Sequence, residues 1–291
     1  MRLVTTATFG LLMVRATLAA PQRPSETDAV AAVEKARSVA LAYGKSLPDF
    51  VCTEVVNRYT DPSLRRGLQD VTEQAADLQI GNHAWARTDT LTVKLTYFEH
   101  KEDHKLVSIN GKPSTQAYAS QEGAVGIGEF GDMVENIFSP KSEARFRWQS
   151  RKTVRGRTVS VYSYVVDPSH SKYAITSGAP GSVRRVIVGF HGVVELDGEA
   201  GAILHFTYEA DHIPRTLGVD DATTVVDYDR VDIAGADFWL PVSSETETRG
   251  PEMALRNQVE FRQYQKFTSD SSVSFGPVKL ATARRLPTES Y

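Results

Sequence analysis

Apolar and polar residues alternate with a period of two along most of this chain. In the clearest example, Leu91, Val93, Leu95 and Tyr97 alternate with polar residues. This pattern is typical of a strand with one buried face. Further strand-like runs lie at 146–148, 159–166, 186–190, 203–208, 224–228 and 259–264. The pattern therefore predicts a protein built mainly of sheet.

Short turns separate several of these runs. Asn110–Gly111, Arg155–Gly156 and Asp197–Gly198 each lie between strand-like segments. Glycine tolerates the positive φ that tight hairpin turns require. Strands that are joined by such short turns must be antiparallel, because parallel neighbours need a long crossover.

Two segments carry helical spacing instead. Ser25 followed by Asp28 is a capping-box pattern, and it precedes apolar positions that continue to about Gly44. The second segment, Asp132 to Phe138, is stopped by Pro140. These segments predict an amphipathic helix able to lie across the sheet and a second, short helix. The fold class is thus α+β, with a large antiparallel sheet dominant.

The N-terminus has the layout of a signal peptide. Arg2 precedes an apolar run from Leu3 to Val14, and small residues at Thr17–Ala20 suit signal peptidase. Arg15 is irregular in this position, and a buried N-terminal helix is the alternative. We expect a signal peptide at 1–20, an extended linker at 21–24 and a single β-rich domain over 21–291. No later run reaches the length of a transmembrane segment. The expected location is periplasmic or secreted.

Composition narrows the function classes. The 291 residues are 41% hydrophobic and 24% charged, which is ordinary for a globular protein. The 33 basic and 36 acidic residues give a net charge of −3, which argues against a nucleic-acid partner. The single Cys52 lies in a β-prone run, so a buried inert thiol is favoured over a nucleophile.

Candidate catalytic and metal-binding motifs all have simpler explanations. Gly126–Gly131 matches G-x-G-x-x-G but follows no buried strand, so we expect a loop that leads into the short helix. His100 and His104 are expected at a charged hairpin tip. Asp227 and Asp229 share one face of a strand, where solvent exposure is the usual reason. We therefore predict no catalytic residue, no metal and no cofactor.

Several segments are similar to uncharacterised exported proteins of environmental bacteria, acidobacteria in particular. These segments are 47–52, 95–103, 109–113, 130–133, 137–140 and 259–267. More distantly, the C-terminal half resembles the LolA/LolB-like family of outer-membrane lipoprotein carriers. That resemblance rests on a Gly-containing turn that leads into Phe238–Val242 and on the segment Tyr264–Phe267.

The resemblance implies a curved antiparallel sheet, an unclosed barrel, with the two helices covering its concave face over an apolar cavity. It also implies an exported binding protein that carries or sequesters a lipid or a lipoprotein acyl group in the cell envelope. Two other functions stay open: a periplasmic protein-interaction or sensing module with a packed core, and a hydrolase with an unrecognised acidic site.

The candidate ligand-binding residues are apolar side chains on two of the predicted strands. They are Leu91, Val93, Leu95, Tyr97, Leu204, Phe206 and Tyr208. The same side chains could hold an acyl chain or simply fill the core. A lipid or acyl chain and an envelope protein are the expected partners.

Overall fold

A computed structural model describes residues 23–61, 85–118, 121, 128–178 and 183–268. The predicted signal peptide lies outside these residues. The α-helices within these residues are α1 (Glu26–Ser46) and α2 (Asp132–Phe138). The strands are β1 (Phe50–Thr60), β2 (Ala86–Phe98), β3 (Lys101–Ile109), β4 (Lys112–Pro113), β5 (Arg145–Val154), β6 (Arg157–Val166), β7 (Ala174–Ser177), β8 (Arg184–Ile187), β9 (Gly189–Asp197), β10 (Ile203–Asp211), β11 (Asp221–Ile233), β12 (Ala236–Gly250) and β13 (Met253–Lys266).

Eleven strands form one sheet in the order β4-β3-β2-β1-β13-β12-β11-β10-β9-β6-β5, and β7 and β8 form a separate pair. All neighbouring strands are antiparallel. The two ends of the large sheet, β4 and β5, do not pair with each other, so the sheet is open. The predicted α+β class with an unclosed antiparallel sheet is confirmed.

The predicted turns form hairpins where the local residues permit left-handed backbone. Asn110 and Gly111 have φ of 51° and 74°, and Arg155 and Gly156 have φ of 50° and 78°. The connection after Asp197 is longer than a two-residue turn. The backbone N–H of Asp197 donates to the carbonyl of Ala202 at 2.9 Å, which closes the β9–β10 loop.

Helix α1 begins where the capping box predicts. The Ser25 Oγ accepts a hydrogen bond from the backbone N–H of Asp28 at 3.1 Å, and the helix runs to Ser46, slightly beyond the expected end. Its buried stripe consists of Val33, Ala36 and Ala40. The flanking apolar positions Val30 and Leu41 are exposed by contrast, because they lie beside the strip of helix that faces the sheet.

The helices pack on one face of the sheet and divide its interior into two main regions. The first core cluster joins α1 and α2 to β6, β9, β10 and β11, and it includes Tyr162, Phe190 and Phe206. The second core cluster joins β1, β2 and β3 to β12 and β13 and includes Phe50 and Phe130. A smaller third cluster lies around β7, β8 and the segment before β11.

Cys52 belongs to the second core cluster. Its side chain is buried, as predicted, and burial raises the pKa of the thiol well above its usual value. None of the helices in the described part of the chain is long and apolar enough to cross a membrane.

Candidate functional site

An apolar pocket lies between the C-terminal half of α1, helix α2 and the hairpin formed by β11 and β12. Its volume is about 220 Å³. We call this cavity the apolar pocket. Its walls include Val39, Ala40, Tyr43, Val134, Tyr228 and Trp239.

Two tyrosines and a backbone carbonyl fix the shape of the apolar pocket. The Tyr43 hydroxyl donates to the carbonyl oxygen of Trp239 at 2.8 Å, which ties α1 to β12. The rings of Tyr43 and Tyr228 meet edge to face with centroids 6.0 Å apart. Burial raises the pKa of both phenols well above the usual value, so both hydroxyls stay neutral at physiological pH.

The polar groups of the apolar pocket lie at its solvent side. Ser46 and Asp237 are exposed, and Asp237 forms an ion pair with Arg230 at 3.3 Å. The volume exceeds the roughly 150 Å³ of an apolar cavity that binds benzene, but it is below the 300–1,000 Å³ of most drug-sized sites. The arrangement therefore suits a slender apolar group with a polar end at the surface.

The predicted ligand-binding residues lie apart from this pocket. Leu91, Val93, Leu95 and Tyr97 are buried in the second core cluster, and Phe206 and Tyr208 are buried in the first. None of these six is in the pocket wall. Their role as ligand contacts stays a prediction.

Leu204, the seventh predicted contact, is half-buried and belongs to neither main cluster. The strand register shifts between Ile203 and His205, so Ile203 faces the interior together with Phe206. Ile203 lines the apolar pocket. Strict alternation along β10 could not show this, because a bulge changes which residues face inward.

A second feature is a group of buried and half-buried ionisable side chains on β1, on β3 and in the turn before α2. We call Glu54, Glu102, His104 and Glu129 the carboxyl–histidine cluster. His104 Nε2 lies 3.2 Å from Glu54 Oε1 and 3.9 Å from Glu102 Oε2. Glu129, in the turn before α2, accepts a hydrogen bond at Oε1 from the Ser244 hydroxyl at 3.2 Å.

Pairing between strands places these groups together. Glu54 on β1 shares the inner face with Cys52, and Glu102 and His104 on β3 lie opposite Tyr97 and Leu95. The Tyr118 ring stacks on His104 with centroids 5.4 Å apart, which helps to shield the imidazole from water.

Burial dominates the titration of this cluster. Burial, reinforced by the charge of Glu129, raises the pKa of Glu102 to about 7, and burial also raises the pKa of Glu129. Burial alone would lower the pKa of His104. The hydrogen bond and the negative charge of Glu54 outweigh that effect, so the pKa of His104 is raised.

The position of His104 differs from the expected hairpin tip. The tip consists of Glu99 and His100, both with positive φ, whereas β3 already begins at Lys101. His104 therefore points into the interior from within a strand. The alternation of Glu102, His104 and Leu106 was the sequence signal for this placement.

Buried carboxyls with raised pKa are a common property of hydrolase sites. Here Glu54 and Glu129 are only 4% and 3% exposed, whereas Glu102 lines an open groove beside Lys101 and Asp132. Among the described residues, no three His, Cys, Asp or Glu side chains are arranged to hold a metal ion.

The other acidic pair makes polar contacts on the sheet. Asp227 accepts hydrogen bonds from the Ser243 hydroxyl at 3.0 Å and contacts the His205 ring, while Asp229 pairs with Arg155. The glycine motif is described only from Gly128 onward, where the backbone turns into α2.

Comparison with known proteins gives a likeness of fold only. No family model matches the chain, and no curated protein matches it. A LolA superfamily protein from Nitrosomonas europaea is 8% identical with a TM-score of 0.36, covering 82% of this chain and 94% of that one. An outer membrane lipoprotein-sorting protein domain from Vibrio parahaemolyticus is 11% identical with a TM-score of 0.40, covering 82% and 93%.

A DUF1329 family protein from Desulfovibrio piger is 9% identical with a TM-score of 0.35, covering 82% of this chain and 95% of that one. The distant LolA-like resemblance predicted from the sequence agrees with these results. The similarity is one of general architecture, and no ligand or residue role is transferred from these proteins. The likeness to acidobacterial proteins stays a prediction.

Proposed function

We propose that this chain is an exported, non-catalytic binding protein that holds one slender apolar group, such as part of a lipid or lipoprotein acyl chain, in the apolar pocket. The periplasm is the proposed location, because the N-terminus has the layout of a signal peptide.

The apolar pocket is the observation that supports this proposal. Its walls are aliphatic and aromatic, and the nearby hydroxyl of Tyr43 is already bonded to Trp239, so an entering chain leaves no polar group unsatisfied. Exposed Ser46 and Asp237 would remain beside the polar end of the occupant.

The cover over the pocket is attached to the sheet by a few polar contacts. Besides the Tyr43 bond, the Tyr97 hydroxyl donates to the carbonyl of Gly44 at 2.7 Å, and Lys35 donates to the carbonyl of Glu199. The Tyr162 hydroxyl donates to the carbonyl of Ala29 at 3.4 Å, and the His100 ring contacts the carbonyl of Gly44. These contacts must break for α1 to shift and admit a longer chain.

The test is binding of cis-parinaric acid, a naturally fluorescent fatty acid, to the purified chain. Val39→Trp places an indole in the pocket wall and should weaken binding at least about tenfold, which corresponds to 1.4 kcal/mol. The fluorescence titration measures this directly.

Val30→Trp is the matched control, because Val30 lies on the same helix but is 57% exposed and outside the apolar pocket. That variant should bind like the wild type, and both variants should keep the wild-type urea midpoint. Absence of binding by the wild type, or equal binding by Val39→Trp, would contradict the proposal. A single dominant protein partner in envelope cross-linking, with no bound lipid, would favour the interaction module instead.

A further inference from the structure

The carboxyl–histidine cluster contains more acid than its surroundings can neutralise. Glu54 and Glu102 contact the one imidazole, and Glu129 lies near enough for its charge to act on Glu102, so full ionisation would leave two unmatched negative charges in the interior. Arg58 on β1 forms an ion pair with Asp89, with Arg58 Nε 2.6 Å from Asp89 Oδ1, so this cation is already matched. Burying unmatched charge is expensive, so the cluster must hold protons while it is buried.

The groups that act on the cluster come from every element around it. Asp132 adds a further negative charge from the start of α2. Beside Glu102, an open groove is also lined by Lys45, His100, Lys101, Asp132 and Glu135. The remaining neighbours are neutral phenols and one thiol: Tyr43, Tyr97, Tyr118, Tyr228, Tyr264 and Cys52.

Of the four cluster members, Glu129 alone is outside a strand. It lies in a turn between Gly128 and Gly131, whose φ values are 102° and 143°. A residue other than glycine rarely adopts such backbone, so the two glycines determine the course of this turn. Glu54, Glu102 and His104 are fixed by ladder hydrogen bonds on both of their strands.

The turn and α2 form one lid segment, residues 128–138, which is attached to the sheet beside the cluster. The Tyr228 hydroxyl donates to the Glu129 carbonyl at 2.5 Å, and Ser244 donates to the Glu129 carboxyl. Phe130 packs among aromatic rings, with centroids 5.3 Å from Phe50 and 5.4 Å from Phe261.

We propose that the carboxyl–histidine cluster is a proton-operated latch: proton uptake keeps the lid segment docked on the sheet, and proton loss makes its opening more frequent. Opening hydrates the charge of Glu129 while the strand residues stay in place. The open state is the minor one, because it exposes Phe130, Val134, Ile137 and Phe138, each at most 2% exposed in the docked state.

The direction follows from the physical chemistry of the cluster. Glu102 has a raised pKa, so the docked state binds its proton more tightly than the released state does. Docking is therefore strongest below the ordinary carboxyl value of 4.5 and weakens as pH rises towards about 7. The raised pKa of His104 acts in the same direction, since its stabilising charge is lost at higher pH.

The lid segment also forms part of the wall of the apolar pocket through Val134, and Tyr228 touches both the pocket and Glu129. Release would open this wall. The latch itself needs no ligand, so it stands or falls separately from the proposed function.

Hydrogen exchange of the ligand-free wild type, followed by mass spectrometry between pH 5 and pH 8 and corrected for intrinsic exchange, tests the latch. Protection of residues 128–138 should fall with rising pH, by up to about tenfold per pH unit for each group that titrates. Protection of β11, in the first core cluster, should be higher than that of residues 128–138 at every pH, because β11 exchanges only through larger unfolding.

Glu129→Gln keeps the shape of the side chain but has no proton to lose, so it should reduce the pH dependence of the lid segment. Glu102→Gln is the second variant, and it should have the same effect if Glu129→Gln does not fold. Glu135→Gln, on α2 but exposed, should keep the wild-type dependence. Constant protection of 128–138 in the wild type, protection of 128–138 equal to that of β11, or an unchanged slope in both cluster variants would overturn the latch.

Discussion

The two halves of the sheet bury different chemistry under the same helices. In the first core cluster the polar atoms are mostly phenol hydroxyls with backbone acceptors, such as the Tyr164 hydroxyl, which donates to Thr207 at 2.6 Å. Under the other half, three carboxyls and an imidazole share the interior with Phe50 and Leu95. The stability of the first half should thus be insensitive to pH, whereas the stability of the second half should depend on the protonation of its carboxyls and imidazole.

The largest expected effect is a loss of stability when the core of the apolar half is altered. Phe206 is fully buried, with its ring 6.1 Å from that of Tyr228. Phe206→Ala should lower the free energy of unfolding by about 3–5 kcal/mol, because it removes buried area and leaves a cavity. Urea denaturation should give the same loss at pH 5 and at pH 8.

Phe98→Ala is the matched control, since Phe98 is 42% exposed and contacts Phe267 at the surface. This variant should lose less than about 1 kcal/mol. A similar loss in both variants would mean that the first core cluster is loosely packed, and the contrast between the two halves would fail.

A smaller effect, the pH dependence of stability, should distinguish the two halves without any mutation. Because Glu102 holds its proton more tightly in the folded chain, stability should fall as pH rises from 5 to 8. The expected loss is on the order of 2–3 kcal/mol, from the pKa shift of Glu102 with allowance for its partial contact with water.

Glu102→Gln should flatten this dependence in urea titrations at a series of pH values. A wild-type stability that rises over the same range, or one that is constant, would show that the cluster is hydrated in the folded chain. Either result would remove the electrostatic difference between the two halves.

The smallest effect concerns the exposed surface. Arg145 and Asp167 form an ion pair with Arg145 Nη1 2.6 Å from Asp167 Oδ2, and both side chains are largely in solvent. Arg145→Ala should leave the urea midpoint unchanged within error, since exposed pairs contribute little. A clear decrease would mean that this edge of the sheet matters more to stability than burial indicates.

Local sequence rules predicted much of the fold. Alternation placed most strands, Ser25 marked the start of α1, and Asn110 with Gly111 produced the β3–β4 turn. These features depend on residues that are close together in sequence, so local patterns are enough to predict them.

The candidate site was less predictable, because it depends on which strands become neighbours. Glu54 lies in an apolar run, and only the pairing of β1 with β2, and of β2 with β3, brings His104 to it. Likewise, the pocket wall combines Tyr43 with Trp239, which are far apart in the chain. A bulge in β10 moved Leu204 away from the interior face.

The central position of β1 has a consequence for how the chain reaches its native state. This strand pairs with β2 on one side and with β13 on the other, and its β13 partners lie about 200 residues further along the chain. The middle of the sheet is therefore completed only after nearly the whole polypeptide has been synthesised. Until then β1 presents an unpaired apolar edge, which makes the incomplete chain prone to aggregation. We therefore expect the chain to stay unfolded until its synthesis is nearly complete.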